Sequence, residues 1–122
     1  MARVVHFDLM ANDPERAAAF YSAAFGWRTE KWDGPMDYWL IETGPKGVEG
    51  IDGGLSKGDP NMTNGELTLG VDSLSDTVKL VLDNGGKQIR EAYPIQGVGY
   101  LAMVEDTEGN QFGLMQSDPA AK

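Results

Sequence analysis

The chain has 122 residues, 41% of them hydrophobic, with ten Lys or Arg against nineteen Asp or Glu and a formal net charge of −9. That is enough for one domain, or for two small half-domains sharing a core, and the acidic balance argues against nucleic acid and against an anionic membrane, since both need a basic face. With no cysteine there is no disulfide and no thiolate metal site. No apolar run reaches the ~20 residues of a membrane span, and the start lacks the basic-then-apolar pattern of a signal peptide, so a soluble cytoplasmic protein is expected.

Residues 3–10, RVVHFDLM, alternate as a strand: Val5, Phe7 and Leu9 point one way, and His6, Asp8 and Met10 the other. His6 is the sole histidine of the chain. A helix follows in NDPERAAAFYSAAFGW, where Asn12 or Asp13 can cap, Pro14 suits the first turn and Glu15 favours the positive end. Ala17, Phe20, Tyr21 and Ala24 recur at helical spacing, and Gly26 ends the run. Three extended stretches come next, WRTEKW, MDYWLIETG and VEGIDGGLS, punctuated by Gly34-Pro35 and Gly44-Pro45.

The second half reads the same way. ELTLGVD alternates Leu67, Leu69 and Val71 against Glu66, Thr68 and Gly70. SLSDTVKLVLDNGG is a helix with a serine or aspartate cap and a glycine-pair stop, and KQIREAYPI, VGYLAMVED and NQFGLMQS are strands. At a single offset of 60, Leu9 falls on Leu69, Ala17 on Thr77, Gly26 on Gly86 and Gly53 on Gly113. The order of elements, caps and stops predicts two tandem βαβββ modules, about 1–56 and 65–118, joined by a polar linker at 57–64. Each module lays a helix on one side of a small sheet. The predicted class is α+β, with the two sheets forming a partly closed, curved barrel around a cleft. By parity His6, Asp8, Glu66 and Thr68 face that cleft, joined by Gly53, Leu55, Gly113 and Met115 from the last strands. Trp39 and Tyr100, on the third strands, border it.

VVHFDLMANDPERAAAFYSAAFGW resembles the opening of the vicinal oxygen chelate superfamily, which includes glyoxalase I, bleomycin-resistance proteins and extradiol dioxygenases. DTEGNQFGLMQ, residues 106–116, is similar to the last turn and strand of that superfamily. The resemblance covers the whole chain and speaks to fold more than to reaction. It implies metal ligands on the first and last strands of each half, which here fall on His6, Gly53, Glu66 and Gly113. Two of these four are glycines and cannot ligate through a side chain.

His6 therefore reads as part of a reduced metal site, as a base for a bound molecule, or as a wall residue. Divalent sites usually take three protein ligands or more. His6 and Glu66 supply two, and Asp8 would be the third. Glu66 reads either as a general base whose pKa rises in a dry cleft or as a solvated residue after the Asn64-Gly65 turn. The aromatics Trp27, Trp32, Tyr38, Trp39, Tyr93 and Tyr100 read first as core or sheet-face packing. Gly53-Gly54 either lets a substrate approach the backbone or marks a bulge. Asp106 caps its own turn through Asx-type bonds.

The reading that follows is a homodimeric protein that binds a small organic molecule in its cleft, with no cofactor and without a complete family metal site. The alternative is a divalent-metal-dependent lyase, isomerase or dioxygenase resembling glyoxalase I, with His6 and Glu66 as both catalytic residues and ligands. A more distant alternative is a regulatory interaction module.

Overall fold

The computed structural model of the chain describes residues 2–59 and 65–122. It is α+β, with eight strands and two helices among the described residues: β1 (Arg3–Ala11), α1 (Pro14–Phe25), β2 (Arg28–Lys31), β3 (Tyr38–Glu42), β4 (Asp52–Lys57), β5 (Glu66–Gly70), α2 (Leu74–Asp83), β6 (Lys87–Ile95), β7 (Gly99–Glu105) and β8 (Gln111–Ser117). The order strand, helix, strand, strand, strand occurs twice. Among the described residues no helix is long and apolar enough to cross a membrane.

The chain divides into two compact units, His6–Glu66 and the remainder, which joins the chain up to Val5 to Leu67–Lys122. The division runs through β1 and β5, and the linker is expected at 57–64. Of that linker, Lys57 ends β4 and residues 60–64 lie outside the described residues.

In the His6–Glu66 unit the strand order is β2-β3-β4-β1. β1 runs parallel to β4, with His6 opposite Asp52, Phe7 opposite Gly53, Asp8 opposite Gly54 and Leu9 opposite Leu55. β3 is antiparallel to β4, with Tyr38 opposite Ser56, Trp39 opposite Leu55 and Ile41 opposite Gly53. α1 begins where the Asp13 carboxylate accepts from the Arg16 amide at 3.2 Å, with Pro14 in its first turn. It ends at Gly26, whose φ of 73° is the left-handed conformation that a glycine takes without strain. Of the predicted helix stripe, Ala17 and Tyr21 pack on the core of Ala11, Ile41 and Leu55, together with Phe7, Leu9, Trp27 and Trp39. Phe20 stays 58% exposed and meets Tyr21 and Phe25 edge-on instead. Burying side chains such as Ile41 and Leu55 contributes about 1.5–3 kcal/mol apiece.

The other unit has the strand order β5-β8-β7-β6. Thr68 lies opposite Gly113, Leu69 opposite Leu114 and Gly70 opposite Met115. α2 is capped by Ser73, which accepts from the Asp76 amide at 3.3 Å, and it packs Val78 and Val81 on a core of Leu74, Ala102, Val104 and Leu114. The register shifts occur in β6, between Gln88 and Arg90 and between Arg90 and Tyr93. Gly53-Gly54, one reading of which was a bulge, instead lies in unbroken register on both sides.

Candidate functional site

Successive strand residues alternate faces, so the pairings decide which side chains share a surface. In the His6–Glu66 unit one face carries Phe7, Leu9, Gly53, Leu55, Trp39 and Ile41, and it is the face covered by α1. The opposite face carries His6 and Asp8 from β1, Gly54 and Ser56 from β4, and Tyr38 and Leu40 from β3. This corrects three expected pocket residues. Gly53 and Leu55 point into the core because they pair with Phe7 and Leu9, and Leu55 has no exposed surface. Trp39 pairs with Leu55 and packs in the same core.

Three side chains meet on the open face. The Tyr38 hydroxyl donates to Asp8 Oδ1 at 2.6 Å and lies 2.8 Å from His6 Nε2, while His6 Nε2 and Asp8 Oδ1 are 3.4 Å apart. A phenol has one proton, and this one goes to the carboxylate. The short approach of His6 is then favourable when Nε2 carries the hydrogen and the phenol oxygen accepts it. Trp32 stands edge-on to the Tyr38 ring, centroids 6.0 Å apart, which steadies the phenol. The His6 and Asp8 side chains keep 33% and 29% of their surface exposed, so the cluster is open to a bound molecule.

The charges follow from these contacts. Burial pushes the Asp8 carboxyl up, but the hydrogen bonds to His6 and Tyr38 and the charge of His6 outweigh it and hold Asp8 below its usual 3.8. Burial and the bond to Asp8 raise the Tyr38 phenol, so it stays a donor at neutral pH. Glu66, half-buried at the start of β5, is raised above its usual 4.5 by burial and by the charge of Asp8. A carboxyl shifted this way takes and releases protons nearer neutrality.

The remaining predicted residues lie in the other unit. Thr68, Gly113 and Met115 share the face turned away from the Leu69–Leu114 core, with Met103 and Leu101 beside them. Tyr100 is a correction: it pairs with Gln116, not with residues of that face, and it packs on the α2 side with Ala102 and Leu114. Two shallow cavities lie elsewhere, one beside Val71, Ser73 and Thr77 and one in the loop from Thr43 to Gly50, and none of the predicted pocket residues lines either. Asp106 accepts from the Glu108 and Asn110 amides at 2.8 and 2.9 Å, closing its own turn.

His6, Glu66 and Asp8 are the residues expected to hold a divalent ion. Among the described residues no group of three or more His, Asp or Glu is disposed to hold one. His6 Nε2 is occupied by Tyr38 and Asp8. Asp52, opposite His6, is turned to Thr43, whose amide donates to it at 2.8 Å. The register also shows that the position opposite Asp8 is Gly54, as Gly113 is opposite Thr68, so Gly54 and not Gly53 is the counterpart of Gly113. Tyr38 is the member of this cluster that sequence reasoning passed over. Its signal is the alternation of Tyr38 and Leu40 against Trp39 and Ile41, which becomes readable once one of these residues is assigned a face.

Comparison with known proteins agrees with this architecture. A family model described as a glyoxalase-like domain matches residues 4–115. A lactoylglutathione lyase of Salmonella typhimurium is 26% identical over 130 residues, covering 98% of this chain and 96% of that protein. A glyoxalase/bleomycin resistance protein/dioxygenase superfamily member from Vibrio splendidus has a similar structure, with a TM-score of 0.70 at 16% identity over 96% of this chain and all of the other. Methylmalonyl-CoA epimerase from Mycobacterium tuberculosis gives a TM-score of 0.69 at 16% identity, covering 95% and 88% of the two chains. At such identities the structures speak for the fold, while the match across nearly the whole chain shows that the protein belongs to the glyoxalase-like domain family of the vicinal oxygen chelate superfamily.

Proposed function

We propose that the chain binds a small organic molecule on the His6–Asp8–Tyr38 face and does so without a divalent ion. One observation carries this reading: the imidazole nitrogen, the phenol and the carboxylate hydrogen-bond one another at 2.6–3.4 Å, and among the described residues they are not joined into a group of three metal-ligating side chains. The bound molecule meets a half-open polar cluster flanked by the exposed side chain of Leu40, which suits a ligand with one apolar flank and one hydrogen-bonding end. Asp8 orients Tyr38, Tyr38 fixes the His6 ring, and the outer lone pairs of the cluster are left to the ligand.

A second reading is favoured by Glu66. Its raised pKa suits a proton acceptor, and the named relatives include a lyase and an epimerase. On this reading the chain is a lyase or isomerase in which Glu66 moves a proton on the bound molecule. The divalent-ion version of that chemistry needs ligands beyond those assembled among the described residues. A homodimer is part of the proposal, because β2 ends the strand order of the His6–Glu66 unit and β6 ends that of the other unit, and open edges need covering; a cytoplasmic setting goes with it.

The test is a thermal-shift screen of small aromatic and apolar acids and alcohols, run in EDTA and again with Zn²⁺, Ni²⁺ or Mn²⁺. Stabilisation that persists in EDTA and is weakened by Tyr38→Phe is the expected result. Ligand binding that needs a divalent ion, with both lost in His6→Ala, would overturn the metal-free reading.

A further inference from the structure

The geometry points to Gly54 as a positioning residue: the empty space at its α-carbon is the seat of the Tyr38 hydroxyl, so a side chain at 54 and the His6–Tyr38–Asp8 cluster exclude each other. This deepens the metal-free reading above and rests on it.

A Cβ built on Gly54 would coincide with the Tyr38 hydroxyl and its ring carbon Cζ, and would lie 2.6 Å from Cε1. Nothing in the backbone asks for a glycine there, since Gly54 is not among the positive-φ glycines and its register with Asp8 and Leu40 is unbroken. The requirement is for room. The phenol could not evade a methyl group by a small adjustment, because it is held on one side by Asp8 and His6 and on the other by the Trp32 ring.

Gly54 and Gly113, which hold equivalent places in the register of the two units, therefore differ. At Gly113 the nearest atoms to a Cβ would be Thr68 Oγ1 at 3.0 Å, Leu101 Cδ1 at 3.3 Å and Met103 Sδ at 3.7 Å, side-chain ends that can yield. At Gly54 the space is filled by the phenol. Gly53 differs again, because a Cβ there would run into the Phe7 carbonyl and ring on the core side. Its glycine serves packing and has no bearing on Tyr38.

The test is a double-mutant cycle with a spectroscopic readout. Folding equilibria are measured for the parent, Gly54→Ala, Tyr38→Ala and the double variant, with Gly53→Ala in both backgrounds as the control. Nitrogen-15 spectra of the single imidazole are recorded for the parent, Gly54→Ala and Tyr38→Phe. Overpacking predicts that Gly54→Ala lowers the folding constant on the order of tenfold to a hundredfold in the parent and much less once Tyr38 is alanine. Gly53→Ala should cost the same in both backgrounds. The His6 nitrogens of Gly54→Ala should move to where Tyr38→Phe places them. If Gly54→Ala does not fold, recovery in the double variant supports the assignment and failure to recover overturns it. Equal costs in both backgrounds, or parental His6 resonances in Gly54→Ala, also overturn it. A divalent ion retained by the parent and lost in His6→Ala would sink the metal-free reading while leaving this coupling measurable, so the two failures are distinct.

Discussion

Replacing Tyr38 with phenylalanine removes one oxygen and keeps the ring, so it isolates the hydroxyl. That hydroxyl donates to an ionised carboxylate at 2.6 Å and receives His6 Nε2 at 2.8 Å. A hydrogen bond to a charged group is worth about 1.5–3 kcal/mol. Partial exposure of the cluster and the ability of His6 to close on Asp8 reduce the loss to about 1–2 kcal/mol at pH 7. The loss should depend on pH. Asp8 is held below its usual 3.8, so its contribution is complete above that pH and is lost as pH falls through the lower folded value. Below that value the phenol faces a neutral acid, and the difference should shrink to the ~0.5–1 kcal/mol of a neutral hydrogen bond. Urea unfolding of the parent and Tyr38→Phe at pH 7, 5 and 3 measures this directly. A loss under ~0.5 kcal/mol at pH 7, or one that grows toward acid, would refute the arrangement of donors described above.

Glu66→Gln removes a carboxylate whose folded pKa is raised by burial and by Asp8. The stability linked to Glu66 is fully present below 4.5 and is lost as pH rises through the folded value, so the variant should gain on the parent between acid and neutral pH, as followed by melting temperature; a constant difference would count against the coupling to Asp8. Leu55→Ala empties a fully enclosed site and should cost about 2–5 kcal/mol in urea unfolding; a cost under ~1 kcal/mol would place Leu55 on an open face, as the sequence alone suggested.

The local signals were legible in the sequence. Asp13, Pro14 and Gly26 bound α1 and Ser73 caps α2, because capping is settled within a few residues. The faces of β1 and β5 were also readable, since His6 and Asp8 alternate cleanly with Phe7 and Leu9. The faces of β3 and β4 were not. A strand's face depends on its register with a neighbour, and a shift of one residue reverses every side chain. The offset of 60 that relates β1 to β5 is one residue less between β4 and β8, where Gly54 answers to Gly113. That single residue moved Gly53 and Leu55 into the core and brought Tyr38 to His6. A doublet such as Gly53-Gly54 offers no side chain from which the choice could have been made.

The three tryptophans, Trp27, Trp32 and Trp39, all belong to the His6–Glu66 unit, and the Leu67–Lys122 segment has none. Intrinsic indole emission therefore watches one half of the molecule, while far-ultraviolet dichroism registers the helices and strands of both. Superimposable melting curves from the two signals would show that the halves unfold as one cooperative body. Curves that part would give the unfolding of each half separately, with no label added.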